Sequence, residues 1–162
     1  MIQTINQVIS ILKEGGVILY PTDTIWGIGC DATNPDAVAK IYKIKQREDS
    51  KSMLVLIDKV GRIPSYVSEM PDLAWDLVEL ADKPLTIIYP NAKNLAKNLI
   101  APDGSIGIRV VNHEFCSKLI GRYGKPIVST SANISGKPSP KSFYDIDAEI
   151  KDGVDYIVSE EF

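Results

Sequence analysis

The stretch "VILYPTDT" (residues 17–24) consists of an apolar run followed by a polar segment, and this combination indicates the fold. Val17 to Tyr20 is a short apolar run, which predicts a buried β-strand. The run stops at Pro21, and the polar segment Thr22 to Thr24 follows it. Because ligands of open α/β sheets bind where loops leave the strand ends, this polar segment is a candidate ligand loop.

Helical patterns lie on both sides of this strand. Thr4 and Gln7 predict a capping box at the start of a helix that ends at Gly15-Gly16, and Asn34-Pro35 predicts the start of the next helix. Further strands are predicted at residues 53–57, 85–89, 106–111, 127–129 and 156–158. Pro71 opens a predicted helix that carries Leu73, Ala74, Leu77, Val78 and Leu80. Strands that alternate with helices predict one α/β domain over residues 1–162.

Composition narrows the class of protein. The chain has 162 residues and a net charge of −3, which argues against nonspecific binding to nucleic acid over its whole surface. No apolar run approaches the roughly 20 residues that a membrane helix needs, so no membrane partner is expected. Cys30 and Cys116 are isolated from each other, which predicts free thiols in a reducing cytoplasm. His113 is the only histidine, which excludes a site built from several histidines.

Three polar segments are candidates for the chemistry: Thr22–Thr24, the basic stretch from Lys45 to Lys51, and Ser129–Asn133. If they meet, their cations and hydroxyls suit a phosphate-bearing ligand. Each also has a structural interpretation, since cations are typical of a helix C-terminus, Asp and Thr of a turn, and Ser of a cap. No glycine-rich phosphate loop is present, so side chains and strand-end backbone would have to bind a nucleotide.

Five segments, taken in order, resemble the YrdC-like domain of threonylcarbamoyl-AMP synthases. They are "LYPTDTIWGIGCDA" (19–32), "KIYKIKQR" (40–47), "KPLTIIY" (83–89), "IGIRVVNHEF" (106–115) and "STSANISGKPSP" (129–140). The resemblance covers residues 15–140. It implies a twisted mixed sheet flanked by helices, with a concave electropositive cleft.

The resemblance also implies an activity. Family members join L-threonine, bicarbonate and ATP into threonylcarbamoyl-adenylate and release pyrophosphate, as nucleotidyltransferases. A separate threonylcarbamoyl-transferase complex then uses the adenylate to modify tRNA. Mg²⁺ is expected with ATP, held mainly by phosphate oxygens and water rather than by side chains.

By position, the resemblance assigns residues to two substrates. The residues expected to bind ATP are Lys45, Arg47, Lys51, Ser129, Thr130, Ser131, Asn133 and Ser139. Those expected to bind threonine are Thr22, Asp23, Thr24 and Arg109. Catalysis would rest on Lys45, Arg47, Ser131 and Asn133. Since no general base is obvious, these groups would act by positioning the substrates and stabilising charge at phosphorus.

The sequence departs from the family pattern at three places. Trp26 stands where a tyrosine is usual, and Glu48 stands where a proline is usual. The chain ends at Phe162, before an S-T-x-x-D-like segment that family domains carry, so the domain is expected to be short or truncated. The alternative function is a non-catalytic module that binds RNA or a nucleotide. A hydrogenase-maturation relative is less favoured, because the zinc-finger and acylphosphatase modules of such proteins are missing.

Overall fold

One mixed β-sheet forms the centre of the molecule. The computed structural model describes residues 1–46 and 53–162. Within this part of the chain the sheet has seven strands in the order β4-β5-β3-β6-β2-β1-β7. Their bounds are β1 (Ile18–Tyr20), β2 (Gly27–Gly29), β3 (Leu54–Ile57), β4 (Thr86–Tyr89), β5 (Ile106–Val110), β6 (Ile127–Ser131) and β7 (Tyr156–Ile157). β3 pairs with β5, and β1 with β7, in parallel, and the other neighbours are antiparallel.

Helices flank this sheet, which confirms the predicted α/β class. The α-helices are α1 (Ile2–Lys13), α2 (Pro35–Lys45), α3 (Asp72–Leu80), α4 (Glu114–Tyr123) and α5 (Ala148–Gly153). Two 3₁₀ helices lie at Val60–Ser65 and Phe143–Asp145. Of the helices described, none is long and apolar enough to cross a membrane.

The side chains of the strands form two apolar clusters, one on each face of the sheet. Successive residues of a strand point to opposite faces, so each strand contributes to both clusters. Val55 and Val128 belong to the first cluster, which also contains the buried apolar residues of α2. Leu56 and Ile127 belong to the second cluster, which contains the buried residues of α1 and α4. The sheet is therefore covered by α2 on one face and by α1 with α4 on the other.

Of the first two predicted helix starts, the one at Asn34 is confirmed and the one at Thr4 is wrong. Asn34 caps α2 as predicted, since its Oδ1 accepts hydrogen bonds from the amides of Asp36 and Ala37 at 3.0 and 3.2 Å. The capping box at Thr4 is wrong, because α1 already begins at Ile2. Thr4 lies inside the first turn, which is closed by the Ile5 amide donating to the Met1 carbonyl at 2.9 Å.

The helix predicted to open at Pro71 is present as α3, but it packs differently from the other helices. Ala74 is its only buried residue. Leu73 and Leu80, in contrast, are 67% and 82% exposed. Their exposure leaves an apolar surface on the outside of the molecule.

Cys30 and Cys116 are free thiols as predicted, and both are buried.

Replacing Asn34 with alanine should lower the free energy of unfolding by about 1 kcal/mol, because two amides of the first turn of α2 lose their acceptor. Urea denaturation followed by circular dichroism measures this change. Asn34→Asp is the matched control, since a carboxylate caps a helix equally well, and it should keep the wild-type stability. Equal stability of the alanine variant would show that the cap contributes nothing.

Candidate functional site

A row of four residues forms the floor of an open surface on one face of the sheet. The strand register places Ile88, Gly107, Leu54 and Ser129 side by side across β4, β5, β3 and β6. Each of them is next in sequence to a residue of the first apolar cluster, which lies on the α2 side of the sheet. Because side chains alternate along a strand, the four residues lie on the other face, which α1 and α4 cover in part. Ile88 is 72% exposed, Leu54 and Gly107 are half-buried, and Ser129 is buried, at 7% exposed. The row is therefore most accessible at β4 and least accessible at β6.

The loop between β1 and β2 crosses this face. Arg109 Nη2 on β5 donates to Asp23 Oδ1 in the loop at 3.0 Å, and the Asn112 amide donates to Asp23 Oδ2 at 3.2 Å. Both ion-pair side chains are below 10% exposed, at 9% and 6%. Since β3 and β6 lie between β5 and β2, the loop must span both strands to make this contact.

Further contacts fix the shape of the loop. Thr22 Oγ1 donates to the Ile25 carbonyl at 2.7 Å and accepts from the Thr24 amide at 3.2 Å. Underneath, Cys116 Sγ in α4 donates to the Pro21 carbonyl at 3.2 Å. Burial, followed by the charge of Asp23, raises the pKa of the Cys116 thiol to about 12, so the thiol keeps its proton at neutral pH. The exposed Thr24 lies beside Arg109, with Oγ1 at 3.4 Å from Nη2.

The first and third polar segments predicted from the sequence meet beside Gly27. A Cβ atom placed on Gly27 would lie 3.5 Å from both Thr22 Cγ2 and Ser129 Oγ. The amide of Ala132 also donates to the carbonyl of Trp26 at 3.1 Å, so the two loops run side by side. The predicted convergence of these two segments is therefore present in the structure.

Lys45 ties the end of α2 to the loop after β6. Its side chain is buried, and its ammonium group donates to the carbonyls of Ser131 and Asn133 at 2.5 and 2.7 Å. In return, the Ser135 amide donates to the Lys45 carbonyl at 2.9 Å. Lys45 therefore holds the loop that carries Ser131 and Asn133.

Asn133 lines a recess beside the loop after β6. Its Nδ2 donates to the carbonyls of Ile134 and Lys137 at 3.2 and 2.7 Å, which fixes the orientation of the amide. Its Oδ1 is buried and has no hydrogen-bond partner among the described residues. The recess has a volume of about 340 Å³, and the exposed Ser139 also lines it.

The remaining predicted residues differ in their placement. Ser131 ends β6 on the same face as Ser129. Thr130 lies on the opposite face, so the structure does not bring its side chain to Ser129 and Ser131. Arg47 and Lys51 lie outside the described residues. The binding roles of all these residues stay predictions.

The sequence interpretation missed an aromatic contact at the rim. Trp26 packs against Phe143 with ring centroids 5.1 Å apart, and the Lys151 ammonium lies 4.4 Å from the centroid of Phe143. Nearby, Lys137 and Asp147 form an ion pair at 3.2 Å. No motif or periodic spacing links these residues, so only the folded chain shows that they meet.

Comparison with protein families gives one match to most of the chain. The Sua5/YciO/YrdC family, described as "Telomere recombination", matches residues 10–161. Among curated proteins, the threonylcarbamoyl-AMP synthase of Pseudoalteromonas translucida is 36% identical over 160 residues, which cover 97% of this chain and 86% of that protein. The threonylcarbamoyl-AMP synthase of Photobacterium profundum is 32% identical with the same coverage.

Solved structures share the fold. P. abyssi Sua5 complexed with L-threonine superimposes with a TM-score of 0.89 at 28% identity over 96% of this chain. The chain spans about half of that structure, with 46% of it covered. E. coli YciO superimposes with a TM-score of 0.83 at 26% identity, covering 96% of this chain and 76% of YciO.

Replacing Arg109 with methionine should lower the free energy of unfolding by about 3–5 kcal/mol, because the Asp23 carboxylate would stay buried without its partner. Adding Asp23→Asn should recover part of this loss, since the second change removes the unpaired charge. Urea denaturation of both variants measures the two effects. Lys118→Met is the control: its ion pair with Glu114 is exposed, so no measurable change is expected. A small loss for Arg109→Met would show that the loop does not depend on this pair.

Replacing Lys45 with methionine should lower the free energy of unfolding by about 1–3 kcal/mol, because two loop carbonyls lose a buried donor. Amide hydrogen exchange should also accelerate across residues 131–135. Lys43→Met serves as the control, since Lys43 is exposed on the same helix. If exchange in the loop is unchanged in the Lys45 variant, the ammonium group does not hold the loop.

Proposed function

The chain belongs to the Sua5/YciO/YrdC family, and from this membership we propose that it is a threonylcarbamoyl-AMP synthase. The observation that carries the proposal is the relative of that name at 36% identity over 97% of the chain. In the proposed reaction L-threonine, bicarbonate and ATP give threonylcarbamoyl-adenylate and pyrophosphate, so the enzyme is a nucleotidyltransferase.

We assign the threonine substrate to the surface beside the loop of residues 22–24. Thr24 is exposed there, and Arg109 Nε is a buried donor without a hydrogen-bond partner in the described part of the chain. A substrate carboxylate would satisfy this donor with a charge-assisted hydrogen bond. Asp23 contributes by holding Arg109, and Thr22 contributes by shaping the loop.

We assign ATP to the surface between the floor and the loop after β6. Ser129, Ser131 and Asn133 are the described groups that would contact it, and Lys45 would position the latter two through their carbonyls. We also assign Arg47 and Lys51 to ATP binding, on the basis of the sequence alone, because they lie outside the described residues. Asn133 Oδ1 is an acceptor, so it suits an N–H group of the adenine or of the carbamoyl group rather than a phosphate oxygen.

The proposed chemistry is the attack of a carbamate oxygen of N-carboxythreonine on the α-phosphorus of ATP, with pyrophosphate as the leaving group. The described site residues would act by positioning the two substrates and by stabilising charge. In the part of the chain that the structure describes, no group of three or more His, Cys, Asp or Glu side chains could hold a metal ion. Mg²⁺ commonly accompanies ATP bound through phosphate oxygens and water, and we propose the same for this enzyme.

The wider setting belongs to the same proposal. A product that is a mixed anhydride with phosphate reacts readily with water, so it must be consumed soon after it forms. We propose that the enzyme works in the cytoplasm and that a threonylcarbamoyl-transferase complex passes the group to tRNA. The alternative of a non-catalytic binding module predicts no turnover, which the assay below detects.

Purified protein incubated with ATP, radiolabelled bicarbonate and L-threonine should release pyrophosphate and form a labelled adenylate. Replacing Thr24 with valine should raise the KM for threonine on the order of tenfold, because an isosteric methyl group replaces the hydroxyl beside Arg109. Thr24→Ser should restore most of the affinity. Coupled detection of pyrophosphate measures both variants.

Two controls make this test decisive. Ser10→Ala changes an exposed hydroxyl of α1 and should leave the kinetics unchanged. Thermal unfolding of each variant separates a binding defect from a folding defect. Folded protein that releases no threonine-dependent pyrophosphate would contradict the proposed function, and an unchanged KM for Thr24→Val would contradict the assignment of threonine to this loop.

A further inference from the structure

An apolar stripe on α3 has no role in the fold or in the proposed site. Leu73, Leu77 and Leu80 are 67%, 48% and 82% exposed. Their separations of four and three residues place them on one side of the helix. Leu85, which follows the helix, is also exposed, at 36%. We call these four leucines the leucine stripe.

The leucine stripe borders a groove with a volume of about 460 Å³. The segment that joins α3 to β4 forms the other wall of this groove. The lining residues are Leu73, Asp76, Leu77, Leu80 and residues 81–85. None of them belongs to the groups proposed to bind ATP or threonine, although residues 81–85 also line a neighbouring cavity that contains Asp23. Leu73, Leu77 and Leu80 do not line that cavity, so the side of α3 that they form is distinct from it.

Helix formation does not explain the leucines. A helix of nine residues is too short to be stable alone, and α3 is held to the protein by Ala74 with the half-buried Trp75 and Val78. Glu, Lys or Gln at the outer positions would support the helix about as well as Leu does. The i, i+4, i+7 spacing of the exposed leucines is instead the spacing of anchors at helix–groove interfaces.

The charges around the stripe indicate the kind of partner. Asp72, Asp76, Glu79 and Asp82 lie on α3 or directly after it, and Asp76 and Asp82 line the groove itself. Lys83 is the only cation between residues 72 and 85. The last turn of α3 contains no basic residue. Acidic groups at the C-terminal end of a helix oppose the helix dipole, so Glu79 and Asp82 do not serve helix stability.

We propose that the leucine stripe is a docking surface for a basic amphipathic helix of another protein. Leucines would bury the apolar side of that helix, and the acidic rim would attract its cations and speed the encounter. The same charges disfavour RNA and anionic membranes. They also disfavour a second copy, because pairing of two α3 helices would bring their acidic residues together.

The proposal can be tested by titrating the isotope-labelled protein with a leucine–lysine peptide that has leucine at every third or fourth position. Chemical-shift changes should be confined to residues 72–85, and binding should weaken as salt increases. Leu77→Gln should weaken binding on the order of tenfold, because it removes the central anchor. A leucine–glutamate peptide of the same spacing should not bind.

Ile2→Gln is the matched control, since Ile2 is 66% exposed on α1. It should leave peptide binding unchanged. Equal binding by Leu77→Gln, or shifts centred on another acidic surface, would overturn the proposal. Sedimentation of the protein alone would also overturn it, if it revealed a dimer that Leu77→Gln abolishes. Threonine-dependent pyrophosphate release should be the same in Leu77→Gln and wild type, so failure of the docking proposal is distinguishable from failure of the proposed function.

Discussion

The buried ion pair between Arg109 and Asp23 is the interaction on which the candidate site depends. It joins β5, the second strand from one edge of the sheet, to the loop between β1 and β2, although β3 and β6 lie between β5 and β2. Without it, the loop of residues 22–24 has no described charged anchor at its tip. The pair is worth more as a constraint on position than as a source of stability, because taking two charges out of water cancels much of their attraction. Its rigidity is what gives the nearby hydroxyls a fixed place.

The open surface is located where the sheet offers little apolar area to a helix. α1 and α4 pack against large residues such as Ile18, Leu56 and Ile127. The adjacent row alternates Ile88 and Leu54 with Gly107 and Ser129. Because two of its four residues bury little apolar area, a helix placed above this row would gain less from the hydrophobic effect. Alternate residues of the same strands therefore form the apolar core on one face of the sheet and the floor of the site on the other.

Much of this arrangement could be predicted from the sequence, because short apolar runs mark the strands and Asn34-Pro35 marks the start of α2. The face of each residue in a strand also follows from alternation, which places the side chains of Ser129 and Thr130 on opposite faces of the sheet. Contacts between distant residues could not be predicted. The buried ammonium of Lys45 and the exposure of the α3 leucines depend on how elements pack, and helical spacing alone gives neither.

The Arg109–Asp23 pair also constrains which ligand fits beside it. The guanidinium charge is already balanced by a carboxylate, so the pair as a whole is close to neutral. A ligand that carries only negative charge would gain from Arg109 but would be repelled by Asp23 at nearly the same distance. Free threonine, before its amine is carboxylated, avoids this conflict, since its ammonium group balances its own carboxylate. The charge arrangement is therefore consistent with the proposed binding of threonine at this end of the surface and of ATP beside the loop after β6.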